Sequence, residues 1–209
     1  MLLNEWISKR YFLNKLEISL RDCKTILELG AGKSTYLRLF ENDFHITALD
    51  AYEKSLEIAK KENLFDAYIV GNTNKLMEKV APKSFDSVVA FDLIEHLSKE
   101  DGMKLIEDMT EVAKKSIIIY TPNGFLFQPA HDNNPFQEHI SGWSYEEMIS
   151  LGFKVYGING HKKLRGTFAK PKLRPKIFGL FVSNLSWLML KLLKRENKAF
   201  SILCIKTIN

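Results

Sequence analysis

The chain has 209 residues, 45% apolar and 26% charged, which accommodates one globular domain with a full core and excludes a second of comparable size. Two cysteines, Cys23 and Cys204, stand too far apart in sequence for a metal-type or redox-type pair and are read as buried, reduced thiols. The net charge of +5 conceals an asymmetry: residues 1–147 hold 17 Lys and Arg against 24 Asp and Glu, whereas residues 148–195 hold 11 cations and no acid. An acidic body thus carries a basic segment, which is either a solvated face or a surface for an anionic substrate, lipid headgroup or nucleic acid.

Taken in chain order, the N-terminal stretch MLLNEWISKRYFL is broken by Glu5 and two cations, so it lacks the unbroken apolar run of a secretory signal. It reads as a helical lead-in over 1–23 to a single domain spanning 1–209, with the cytoplasm as the expected location. Strands are predicted at Thr25–Leu29, His45–Leu49, Ala67–Val70, Ser87–Phe91 and Ser116–Tyr120, each a short run rich in Ile, Val, Leu or aromatic residues. Helical periodicity falls between them, at about Lys33–Asn42, Glu53–Glu62 and Lys99–Ala113. This alternation predicts an α/β, Rossmann-like doubly wound sheet over 24–160, helices on both faces and ligands at the C-terminal strand ends.

Two further strands, Phe153–Ile158 and Phe200–Lys206, bracket an insert over 161–198, and the last strand lies within 199–209. The insert opens with HKKLRGTFAKPKLRPK and continues with the nearly apolar Ile177–Leu193. That run is too short to span a bilayer, and Asn184, Trp187, Lys191 and Lys194 form a narrow polar stripe along it. A helix packed on the domain as a lid, or one contacting a membrane surface through 161–195, fits the pattern.

The turn in TILELGAGKST, Thr25–Thr35, decides the ligand. GKST looks like the end of a triphosphate loop, but counting back from Gly32 puts Leu27 where that loop needs its first glycine. The dinucleotide fingerprint matches at Gly30 and Gly32 and fails at Thr35, while Asp50 ends the second strand where a carboxylate can accept ribose hydroxyls. Glu28 discriminates further, because a carboxylate beside the turn repels a pyrophosphate and suits a cationic ligand. S-adenosylmethionine, with its sulfonium and α-ammonium groups and no phosphate, is such a ligand.

With ELGAG at 28–32, ITALDAYEKSLEIAKK, FDSVVAFDLIEHL, KKSIIIYTPNG and HISGWSYEEMISLGFKVYGING, the chain resembles the class I S-adenosylmethionine-dependent methyltransferases, specifically their small-molecule, ubiquinone-biosynthesis-like branch. The resemblance implies that the last two strands form an antiparallel edge pair. It implies cofactor contacts from Glu28, Gly30, Ala31, Gly32, Ser34, Asp50, Ala51, Asn72, Thr73 and Asp92; Asn72 stands where the family usually has Asp. Ser34 could equally cap the first helix, and Asp92 the turn through Leu93–Leu97.

Methyl transfer needs an acceptor aligned with the sulfur–methyl bond and, for a protonated nucleophile, a base. His139 is the leading candidate for that base and His96 the second, with structural roles the alternative for each. His131 and Trp143 are assigned to the acceptor, a core position being the alternative for Trp143. His131, Asp132, Glu138 and His139 match no established metal-ligand spacing, so no metal is expected. The expected activity is methyl transfer to an O, N or C atom of a small, lipid-like acceptor. Competing readings are an RNA methyltransferase using the basic insert, which lacks an appended RNA-binding module, and a cofactor-binding protein without turnover.

Overall fold

The computed structural model describes residues 6–130 and 134–208. Seven strands form one sheet: β1 (Thr25–Leu29), β2 (His45–Asp50), β3 (Ala67–Val70), β4 (Phe85–Phe91), β5 (Ala113–Pro122), β6 (Lys154–His161) and β7 (Ala199–Thr207). Their order is β3-β2-β1-β4-β5-β7-β6, parallel throughout β1–β5, with β7 antiparallel to both β5 and β6. The expected antiparallel edge pair is therefore present. Six helices accompany the sheet: α1 (Trp6–Leu20), α2 (Glu53–Lys61), α3 (Leu76–Lys79), α4 (Lys99–Val112), α5 (Tyr145–Ser150) and α6 (Lys176–Leu192).

The central strands read as unbroken apolar runs because both faces of the sheet are covered. Strand alternation sends Leu27, Leu29, Val88, Ile117 and Ile119 into one core with Leu105 and Met109 of α4. Ile26, Val89 and Ile118 enter the opposite core, with Phe12, Leu16 and Leu20 of α1 and Leu56 and Ala59 of α2. The strand order reverses between β1 and β4, and the crevice at their C-terminal ends is where an open α/β sheet places its ligand.

One expectation is corrected. The helix foreseen at Lys33–Asn42 is only one 3-10 turn, Leu37–Leu39. Thr35 explains this: its hydroxyl donates to Glu28 Oε2 (2.5 Å) and accepts from the Leu37 N–H (3.0 Å), a side-chain alternative to helical hydrogen bonding. Arg38 is drawn sideways to the Leu64 carbonyl and Asp66, and Phe40 is already extended.

The orientation of α6, which its periodicity leaves open, is given by its packing on the domain. Its polar stripe faces the protein: Asn184 and Trp187 are buried, Trp187 Nε1 donates to the Gly157 carbonyl (2.9 Å), and Lys191 bridges Tyr11 Oη and Glu196. Ser183 is fully buried, its hydroxyl donating to the Asn159 carbonyl (3.0 Å). The apolar residues Ile177, Phe178, Phe181, Leu185, Leu188 and Leu192 point outward, each at least 46% exposed. At 17 residues, α6 is too short to cross a bilayer, and no described helix is long and apolar enough to do so.

Candidate cofactor and acceptor site

The turn after β1 is built on two glycines in the left-handed region, Gly30 at φ 63° and Gly32 at φ 58°. A Cβ on Gly30 would stand 2.6 Å from Leu93 Cδ1, so the turn tolerates no side chain there. The Gly30 N–H donates to the Leu49 carbonyl (2.8 Å) and the Gly32 N–H to Asp50 Oδ2 (2.8 Å), while Asp50 Oδ1 accepts from the Tyr52 N–H (2.7 Å). Asp50 thus clamps the glycine turn to the end of β2.

Glu28 is almost wholly buried at the base of this turn, and burial pushes its carboxyl up to about 8 despite the Thr35 hydrogen bond. At neutral pH it is largely protonated, which refines the electrostatic argument drawn from the sequence. An anion is not waiting beside the turn; a cation arriving there would expel a proton.

A cavity of about 860 Å³ opens along the strand ends. Its walls include Glu28, Gly30, Ala31, Gly32 and Ser34 on one side and Asp92, Glu95, His96 and His139 on the other. Tyr36, Phe91 and Tyr120 stack edge-on between them, with Tyr36–Phe91 centroids at 5.5 Å. Phe168 and Ala169, just upstream of α6, also line it, so the insert contributes a wall. Asp50, Ala51, Asn72 and Thr73 sit beyond these walls at the ends of β2 and β3, where the Gly71 N–H donates to the Asp50 carbonyl. Asn72 Oδ1 accepts from the Asn74 N–H (3.0 Å), capping the 3-10 turn Thr73–Lys75.

The expected capping roles of Ser34 and Asp92 do not occur. No helix follows Ser34, which is exposed toward the cavity. Asp92 holds φ 48°, with its N–H donating to the Tyr120 carbonyl (2.8 Å), and Leu93 and Ser98 occupy the cap positions that follow. Asp92 is open to the cavity but deep among protein atoms, and its carboxyl is pushed up to about 7. Glu95, buried beside it, is held well above the usual carboxylate range by burial and by the Asp92 charge.

Glu95 Oε2 accepts from the Thr121 hydroxyl (2.9 Å), and Oε1 has no hydrogen-bond partner among the described residues. His96 and His139 meet edge to face with centroids 4.7 Å apart. His96 Nδ1 lies 2.9 Å from the Glu138 carbonyl and His139 Nδ1 2.8 Å from the Leu126 carbonyl. A carbonyl only accepts, so each Nδ1 carries a hydrogen.

Trp143 is corrected from acceptor contact to core: it is fully buried, and its indole N–H donates to the Ile94 carbonyl (3.2 Å) and Ser141 Oγ (3.1 Å). His131 lies outside the described residues. The sequence reading missed Glu95, Tyr36, Tyr120 and Asn159 as wall residues. Glu95 adjoins His96 in IEHL, which was the one available signal.

Residues 27–121 match a family described as methyltransferase domain, covering β1 through β5 and both carboxylate clusters. Residues 27–121 are a methyltransferase domain, and the described chain has the fold of S-adenosylmethionine-dependent methyltransferases. The match supports an enzyme with S-adenosylmethionine as cofactor, against the triphosphate reading of GKST and the dinucleotide reading of the glycine turn. Among solved structures, a SAM-dependent methyltransferase from Archaeoglobus fulgidus is 18% identical, with TM-score 0.62, 98% of this chain and 94% of that one being covered. Magnesium protoporphyrin IX methyltransferase from Synechocystis is 11% identical, with TM-score 0.52 and coverage of 97% and 81%. A small RNA methyltransferase is 14% identical, with TM-score 0.59, 95% of this methyltransferase matching 25% of that chain. At these identities the likeness concerns the fold, and no curated protein sequence matches significantly.

Proposed function

We propose that this methyltransferase modifies a small, hydrophobic acceptor drawn from an anionic membrane surface. The observation that carries the reading is the inverted α6: its polar side is spent on the protein and its apolar side is turned to solvent. Exposed apolar residues at positions 177, 178, 181, 185, 188 and 192 make one continuous stripe, and Lys172, Arg174, Lys176, Lys194 and Arg195 flank its two ends. An apolar stripe between cations matches an anionic bilayer, the stripe entering the acyl boundary and the cations meeting phosphates. The same insert walls the cavity through Phe168 and Ala169, so a lipid-like acceptor has a short route from surface to site.

In this reading S-adenosylmethionine lies over Gly30–Gly32, its ribose toward Asp50 and its adenine toward Ala51, Asn72 and Thr73. Its ammonium group approaches Glu28 and Asp92. The acceptor occupies the opposite wall, against His96 and His139.

Vesicle flotation tests the membrane half. The chain should float with vesicles containing phosphatidylglycerol and not with pure phosphatidylcholine, and Phe181→Ser with Leu185→Ser should abolish flotation. Equal binding to both vesicle types, or none, would refute it. If RNA is the true partner, a salt-steep gel shift will appear in its place.

A further inference from the structure

We infer that Glu95, His96 and His139 bind a divalent first-row transition-metal ion in the acceptor wall of the cavity. One donor atom from each of the three lies within 4.8 Å of the others. His96 sits in the turn after β4 and His139 in the loop after β5, so two separate segments of chain converge on one point.

The second observation is independent of that spacing. Glu95, a residue of the cavity wall, is 98% buried, yet its Oε1 has no hydrogen-bond partner among the described residues. A buried carboxylate oxygen left in this state costs roughly 1–3 kcal/mol, which a cation would recover.

The anchoring of the rings agrees. Nδ1 of each histidine donates to a backbone carbonyl, the way a ligating imidazole characteristically anchors the nitrogen that does not bind the metal. Ile140 and Ser141 N–H groups both donate to the Glu95 carbonyl, and Trp143 donates to that of Ile94, so the two loops are held together before any ion arrives.

Two imidazoles and one carboxylate form a donor set for Zn²⁺, Mn²⁺, Fe²⁺ or Co²⁺ rather than for Mg²⁺ or Ca²⁺. Bonds of about 2.1 Å place such donors roughly 3–4 Å apart, a contraction within reach of small rotamer shifts. Three protein ligands leave positions open toward the cavity. An acceptor hydroxyl on the ion would lose its proton to solvent; its oxygen would bond the methyl carbon as the carbon–sulfur bond breaks, leaving a neutral thioether.

Only the ion's role rests on the methyltransferase reading; its binding is measured alone. The purified chain is titrated with Co²⁺ by calorimetry, with visible absorption following the coordination, and S-adenosylhomocysteine is titrated separately. One Co²⁺ per chain is expected, with affinity falling about ten-fold or more in Glu95→Gln, His96→Gln and His139→Gln and S-adenosylhomocysteine affinity retained. The absence of a saturable Co²⁺ site in the wild type, which no folding defect can explain, would overturn the inference. So would a site unaltered in all three variants. Loss of S-adenosylhomocysteine binding by the wild type would instead strike the methyltransferase reading.

Discussion

His96 and His139 meet edge to face at 4.7 Å, and both rings are fixed by carbonyls of the loop that carries His139: His96 by that of Glu138, His139 by that of Leu126. The pair is a rigid element of the acceptor wall. We predict that His139→Ala lowers the methyl-transfer rate by about 10²–10⁴-fold. Cofactor affinity, on the opposite wall, should stay within about three-fold by calorimetry; comparable losses in both would disprove an acceptor-side role.

Asp50 clamps the glycine turn through two backbone N–H groups and, in the proposed function, accepts the ribose. Asp50→Ala should weaken S-adenosylhomocysteine by roughly 10–100-fold, corresponding to 1–3 kcal/mol for the lost partners. Asp50→Asn, which keeps one acceptor oxygen, should fall between. An unchanged affinity in Asp50→Ala would remove Asp50 from the site.

Glu28 supplies a pH signature. Its carboxyl is near 8 in the free protein, against about 4.5 when unfolded, and a bound ammonium group favours the ionised form. Cofactor binding below pH 8 therefore releases a proton, and affinity rises with pH until Glu28 is already ionised. The sign for folding is opposite: the raised carboxyl stabilises the free protein below about pH 4.5 relative to high pH, and that advantage is lost as pH rises through 8. In Glu28→Gln the proton release attributable to this residue should vanish, as read by calorimetry at pH 7 in buffers of different ionisation enthalpy.

Neighbouring positions of α6 should respond in opposite ways. Trp187, 6% exposed and hydrogen-bonded to the Gly157 carbonyl, should cost about 3–5 kcal/mol when replaced by Ala. Phe181, 52% exposed, should cost no more than about 0.5 kcal/mol as Ser. Denaturant unfolding distinguishes the two, and a large loss at Phe181 would mean that the stripe is covered by this chain itself.

The central strands were readable because residues buried on both faces must be apolar, as in β1; the half-exposed edge strand β3 was readable from its β-forming run Ala67–Val70. The segment after Gly32 was misread because its spacing is helical while Thr35 diverts the backbone locally. Periodicity found α6 but not which side faces inward: the Ser183 hydroxyl bonds the Asn159 carbonyl of β6 and the Asn184 Nδ2 the Leu180 carbonyl of its own helix, partners visible only once the elements are placed. In the site, the ELGAG turn and Asp50 were legible as contiguous motifs. The Glu95, His96 and His139 cluster was not, because it joins two loops that only the sheet brings together.

Asp92 stands in a left-handed backbone conformation that costs a non-glycine residue on the order of 1 kcal/mol, and its carboxyl, pushed up to about 7, lies beside Glu95 at the cavity. Both features weigh against the folded state. Directed evolution scored on heat resistance alone would consequently favour Asp92→Gly or Asp92→Asn and discard the carboxyl that the proposed function turns toward the cofactor. In this fold the most thermally tolerant descendants and the most active ones should diverge at residue 92.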